Sequence, residues 1–175
     1  MTNVILTNET GDHLGTVDIT TAHTGKGKLH QAFSIFVFRH DGHELLLQQR
    51  SAKKLLFPES WANTCCSHPR DGEDLIETAQ RRLQEEMGFT CPLTEHASFV
   101  YRAEDEGRGV EHEYDTILVG MVDDVDVQPN PDEVTDWAWL TIEELGAEME
   151  RAPENFAPWF PLALSYLLTC QIDEE

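Results

Sequence analysis

Residues 67–89 read SHPRDGEDLIETAQRRLQEEMGF. Leu75, Ile76, Ala79, Leu83 and Met87 recur at helical spacing, so an apolar stripe predicts a helix from Asp74 to Met87. Gly88 is its natural stop, because a left-handed residue ends a helix at little cost when it lacks a side chain. Arg81 with Glu85, and Arg82 with Glu86, stand at i and i+4 on the polar side. Ordinary surface ion pairing accounts for the first of these pairs.

Working outward, Gly, Pro and Asp clusters cut the rest of the chain into short units. VILTN and HLGTVDIT read as a hairpin around NETGD. Residues 31–38, QAFSIFVF, form an apolar run of strand length, and ELLLQQR after the HDGH turn is its hairpin partner. Beyond the helix, HASFVYRA and VEHEYDTILVGMV read as strands separated by EDEGRG, followed by a short strand VTDWAWL. Thr141 and Glu144 form a capping box for a helix over IEELGAEME, and an apolar helix from about Pro158 to Cys170 closes the chain. Strands with one inserted helix, then further strands and terminal helices, predict an α+β sandwich with a mixed sheet flanked by helices.

At 175 residues and 40% apolar, the chain suits one domain. It has no apolar run of about 18 residues, and its first residues lack a signal-peptide pattern, so a cytoplasmic location off the membrane is expected. In that compartment Cys65, Cys66, Cys91 and Cys170 are expected as free thiols, with Cys65, Cys91 and Cys170 packed as core residues or bystanders. The 33 acidic residues against 12 Lys plus Arg give a formal charge of −21, which excludes nucleic acid as a natural partner. So strong an acidity also fits a high-salt cytoplasm.

The cations are clustered. All four lysines, with Arg39 and Arg50, lie between positions 26 and 54, opposed there only by Asp41 and Glu44, for a local charge of +4. An anionic small molecule is the expected partner of such an island, with a plain solvated basic face as the competing reading.

In VEHEY, Glu111 and Glu113 project from one face of a strand, where two like charges need a shared cation or proton. His23, His30 and His68 could join them. Three imidazoles and two carboxylates suit a six-coordinate ion such as Mg²⁺ or Mn²⁺ better than tetrahedral Zn²⁺. The competing reading is a wet outer strand face, because spacing alone does not bring the five residues together. His13, His40, His43, His96 and His112 are read as surface residues.

Residues 67–89 resemble the Nudix box, G-x5-E-x7-R-E-U-x-E-E-x-G-U with U aliphatic. Glu73, Arg81, Leu83, Glu85, Glu86 and Gly88 fall in register, while Ser67 and Arg82 replace the first glycine and a metal-binding glutamate. With RSAKKLLFPESWANTCCSHP, AHT followed by LH, FVYRA, VEHE and FAPW in order, the chain is similar over nearly its whole length to the type 1 isopentenyl-diphosphate delta-isomerases.

The resemblance implies a Nudix-like α/β/α sandwich, as one domain over residues 1–175 whose first 30 residues are an extension supplying histidines. It implies isomerisation of isopentenyl to dimethylallyl diphosphate, by protonation at C4, a tertiary cation at C3 and proton loss from C2. Cys66 and Glu113 would be the catalytic pair, with Tyr101 in support. His23, His30, His68, Glu111 and Glu113 would hold Mn²⁺ or Mg²⁺, with Zn²⁺ as a further candidate, and Glu86 a Mg²⁺ carried with the diphosphate.

Arg50, Lys54 and Arg82 match diphosphate-binding positions, with Lys28 as a candidate where the basic residue common before AHT is missing. Trp159 would offer its π face to the cation. A monomer or weak homo-oligomer is expected. Two other readings stay open: a Nudix pyrophosphohydrolase of a nucleoside diphosphate derivative, and a silent metal-dependent binding module.

Overall fold

The computed structural model describes residues 2–169. β1 (Asn3–Thr7) and β2 (His13–Asp18) form the first hairpin. Ile19 and Thr20, expected to extend its second strand, instead begin a single-turn helix, α1 (Ile19–Ala22), because the Asp18 carboxylate accepts from the Thr20 N–H. Then follow β3 (His30–Arg39), β4 (Glu44–Arg50), β5 (Trp61–Ala62), β6 (Cys65–Ser67) and α2 (Leu75–Met87). β7 (Leu93–Asp105) and β8 (Gly109–Met121) make a long hairpin with a tighter tip than the loop EDEGRG implies, because Asp105 still pairs with Gly109. β9 (Val134–Thr141), α3 (Ile142–Arg151) and α4 (Trp159–Thr169) complete the order. Cys170 lies outside the described residues.

The sheet is mixed. β3 pairs antiparallel with β1, β4 and β6 and parallel with β8, while β9 joins β4. Strand alternation sorts β3 into two layers. Phe33, Ile35 and Val37 pack with Ala79, Leu83 and Met87 of α2. Phe36 and Phe38 pack on the other face with Leu145 of α3 and Phe160, Ala163 and Leu164 of α4. A strand covered on both faces reads as a continuous apolar run, which is why QAFSIFVF shows no polar alternation. Helices on both faces of the mixed sheet make the α/β/α sandwich.

Local chemistry fixes the helices. Asp74 caps α2 by accepting from the Glu77 N–H at 3.0 Å, and Gly88 ends it at φ 79°, where a side chain would also strike the Gln128 carbonyl. Thr141 and Glu144 form both halves of the capping box on α3.

Candidate active site

β6 is three residues long and sets the chemistry by alternation. It runs antiparallel to β3 with Cys65 opposite Ile35, Cys66 opposite Ser34 and Ser67 opposite Phe33. Cys65 therefore joins the core under α2, fully buried, while Cys66 turns to the opposite face and lines a cavity of about 340 Å³. On the other edge of β3, His30 pairs with Glu113, and Tyr101 of β7 stands opposite Glu113 in turn. The same cavity is lined by His23, His68, Glu111, Glu113, Tyr101 and Trp159, and by Arg50, Lys54, Arg82 and Glu86.

Ligand atoms of His23, His30, His68, Glu111 and Glu113 all lie within 4.8 Å of one another. His68 Nε2 is 2.8 Å from Glu113 Oε1 and 3.2 Å from His30 Nε2. Both ring nitrogens of His23 and Oε2 of Glu111 are buried without a hydrogen-bond partner, although His23 Nε2 lies 3.4 Å from that oxygen. Buried polar atoms left unpaired are costly, so converging orphan donors of this chemistry fit a divalent cation. The set contains no thiolate, which disfavours a cysteine-bound zinc element.

The pKa directions describe the protein's own charges. Burial, with His68 and His30 close by, lowers His23 to about 4. Burial and the neighbouring Glu113 raise Glu111 well above the carboxylate range. Glu113 is held low despite its burial, because His30 and His68 bond to it. Burial likewise raises the Tyr101 hydroxyl, which donates to Glu113 Oε2 at 2.5 Å. The Cys66 thiol is pushed up to about 12 by burial and then by Asp115, so it is protonated at neutral pH.

Where Ser67 turns to the α2 face, a charged half of the cavity begins. Arg82 Nε donates to Ser67 Oγ at 3.1 Å and its Nη2 to Glu86 Oε1 at 2.6 Å. Lys54 pairs with Glu86 at 3.2 Å and with Glu133. Glu133 is held low against its partial burial by Lys54 and Arg82.

Arg50 does more than face the cavity. It donates to the Leu56 and Phe57 carbonyls at 2.8 and 3.0 Å and lies 5.0 Å over the Trp159 ring. These bonds, with Asp105 accepting from the Phe57 N–H, hold a loop in which Phe57 and Glu59 take φ values of 48° and 64°. One face of Trp159 is thus already occupied by a cation.

Two expectations are corrected. Lys28 does not line the cavity: the turn through Gly25 and Gly27 leaves its side chain exposed, and it contributes instead its carbonyl to His30 Nδ1 at 2.7 Å. Nor is the cationic island one patch. Lys53 pairs with Asp132 and Arg39 with Glu44, leaving Arg50 and Lys54 as its members at the cavity.

Glu133 and three further residues escaped the sequence reading. Asp115, one alternation step beyond Glu113, is buried and accepts from Ser34 Oγ at 2.7 Å, and Ser34 Oγ lies 3.6 Å from Cys66 Sγ. Asn63 accepts from Cys66 and from Trp159.

Comparison with known proteins decides the kinship. A NUDIX domain profile matches residues 28–161. An isopentenyl-diphosphate Delta-isomerase of Serratia proteamaculans is 45% identical over 157 residues, covering 90% of this chain and 86% of that protein. The chain belongs to the isopentenyl-diphosphate Delta-isomerase family. Members from Nocardia farcinica and Halorhodospira halophila are 43% and 41% identical, over 89% and 91% of this chain and equal shares of their own lengths.

Among solved structures, DR0079 of Deinococcus radiodurans superposes with a TM-score of 0.72 at 22% identity, covering 94% of this chain and 97% of its own. A MutT protein of Methanosarcina mazei gives 0.65 at 15%, over 84% of this chain and 96% of its own. At such identities these likenesses show the Nudix fold alone. Within the family fold, His23 precedes the residues matched by the domain profile, while the other four residues of the His/Glu group fall inside them.

Proposed function

We propose that this protein converts isopentenyl diphosphate to dimethylallyl diphosphate in isoprenoid biosynthesis, through a tertiary carbocation. The observation that carries the reading is the placement of Cys66 and Glu113. They come from strands on opposite edges of β3 and reach one cavity, so an allylic unit between them meets a thiol on one side and a carboxylate on the other. Shifting a double bond by one carbon needs a proton added at one end and another removed at the far end, out of reach of water. Cys66 and Glu113 serve as that pair, and Tyr101 orients Glu113 by donating to it.

Arg82, Lys54 and Arg50 hold the diphosphate at the charged end, which places the hydrocarbon toward Cys66 and Trp159. Trp159, which lines the cavity, steadies the positive charge at C3 with its ring. His23, His30, His68, Glu111 and Glu113 would hold Mn²⁺ or Mg²⁺, and Glu86 a Mg²⁺ arriving with the diphosphate. Such ions supply positive charge beside carboxylates and phosphates. Arg82 favours this reading over pyrophosphate hydrolysis, since a phosphate-binding base stands where the hydrolase box has a metal-binding acid. We place the enzyme in a salt-rich cytoplasm, as a monomer or weak homo-oligomer. Among the described residues no helix is long and apolar enough to cross a membrane.

The test is incubation with isopentenyl diphosphate and Mg²⁺ in D₂O. Dimethylallyl diphosphate carrying deuterium is expected. Neither product nor exchange, at low and at molar KCl, would sink the proposal.

A further inference from the structure

Asn63 is fully buried between two residues of the cavity, behind its wall. Its Nδ2 donates to the Ile35 carbonyl at 3.1 Å and to the Cys65 carbonyl at 3.0 Å. Its Oδ1 accepts from the Trp159 Nε1 at 3.1 Å and from the Cys66 thiol at 3.2 Å. These bonds admit one orientation of the amide. An indole N–H only donates and a backbone carbonyl only accepts, so exchanging oxygen and nitrogen would break three of the four contacts. The atom facing Cys66 is therefore an acceptor, and the thiol hydrogen is directed at it.

The next residue makes the corner rigid. Thr64 Oγ1 donates to the Leu46 carbonyl at 2.7 Å and accepts from the Val37 N–H at 2.9 Å. The two-residue bend between β5 and β6 is thus bonded to the sheet through both side chains. Because Asn63 hangs from this bend, the place of its oxygen is set by backbone of β3 and β6 rather than by the cavity.

We propose that Asn63 is a positioning residue, whose single carboxamide oxygen clamps the Cys66 thiol and the Trp159 indole together before substrate enters. A thiol turns freely about its Cβ–Sγ bond and makes weak hydrogen bonds, so its direction needs a fixed acceptor. The same oxygen fixes the indole, which makes the separation of the sulfur from the aromatic wall a property of one side chain. This inference rests on the roles given above to Cys66 and Trp159.

Infrared difference spectra between the wild-type protein and Cys66→Ala isolate the Cys66 S–H stretch. A hydrogen-bonded, lowered frequency is expected. It should rise toward the free-thiol position in Asn63→Leu, and fall further in Trp159→Phe, where the oxygen serves the thiol alone. In Asn63→Leu, kcat should drop about 100-fold with KM for isopentenyl diphosphate within about twofold, the signature of lost alignment. If Asn63→Leu does not fold, the Trp159→Phe shift decides alone. A free-thiol band in the wild-type protein, a band unmoved by the substitutions, or an unchanged kcat in folded Asn63→Leu overturns the clamp. The band is read without substrate, so an inactive wild-type protein with a shifted band would overturn the isomerase reading and leave the clamp standing.

Discussion

Ser34 of β3 and Cys66 of β6 stand opposite each other in antiparallel register, hydroxyl oxygen 3.6 Å from thiol sulfur, while the adjacent Cys65 points through the sheet. Cys66→Ala should cut turnover to below about one part in a thousand, toward the upper end of what a positioned acid or base usually contributes. Cys65→Ala should keep most activity and lose about 1 kcal/mol of stability from its buried site. Steady-state assays beside urea unfolding check both. Equal activity losses would undo the distinction.

The orphan atoms of His23 and Glu111 bear on metal binding. Protein stripped with a chelator should gain thermal stability on adding Mn²⁺, by roughly 2.7 kcal/mol at a hundredfold excess over Kd. His23→Ala and Glu111→Gln should each remove most of that gain while the stripped proteins still unfold cooperatively. Calorimetric titration of wild-type and variants gives the comparison. Undiminished Mn²⁺ stabilisation in both variants would rule out this ligand set.

His23 also predicts a pH dependence in the metal-free protein. Its folded pKa of about 4 lies below the ordinary 6.5, so the unfolded chain binds the proton first as pH falls. The contribution of the neutral imidazole is complete above pH 6.5, declines below it, and is gone by about pH 4, for a loss on the order of 3 kcal/mol. NMR titration of the His23 ring should find a midpoint near 4. A midpoint near 6.5 would contradict the burial seen here.

At the charged end, Arg82 bridges Ser67, Glu85 and Glu86. Arg82→Gln should raise KM for isopentenyl diphosphate about tenfold or more, since a charge-assisted bond to a phosphate is lost and buried Glu86 loses a partner. The substrate dependence of the initial rate measures this. An unchanged KM would place the diphosphate elsewhere.

The formal charge of −21 predicts that salt stabilises the fold. The urea midpoint should rise from low to molar KCl with the slope of the transition unchanged. No rise would remove the case for adaptation to high salt.

Much of this architecture is legible in sequence because it repeats. The stripe on α2, the apolar run of β3 and the box at Thr141 and Glu144 each carry a period or a cap that survives without neighbours. β5 and β6, at two and three residues, are too short to show any period, yet β6 decides which cysteine faces the cavity. Ligand chemistry had drawn His23, His30, His68, Glu111 and Glu113 into one candidate set, but their contact was invisible until the strands were paired.

Asp115 was within reach, being one more step along the alternation that picked out Glu111 and Glu113. Glu133 was not. It meets Lys54 across 79 positions of chain, and no local pattern announces a pairing at that range. Asn63 lay in plain sight within NTCCSHP, but nothing in the letters distinguishes a buried amide with four partners from a loop asparagine.

The three residues of β6 turn a pair of neighbouring thiols into a ruler. A small electrophile offered to the folded chain meets Cys66 at the cavity and finds Cys65 sealed, so the ratio of label on the two sulfurs reports the register of this strand. One slipped residue would exchange them. Peptide mapping after prolonged alkylation, long enough to trap the scarce Cys66 thiolate, would thus grade each preparation or variant for correct strand seating, with no substrate and no assay of turnover.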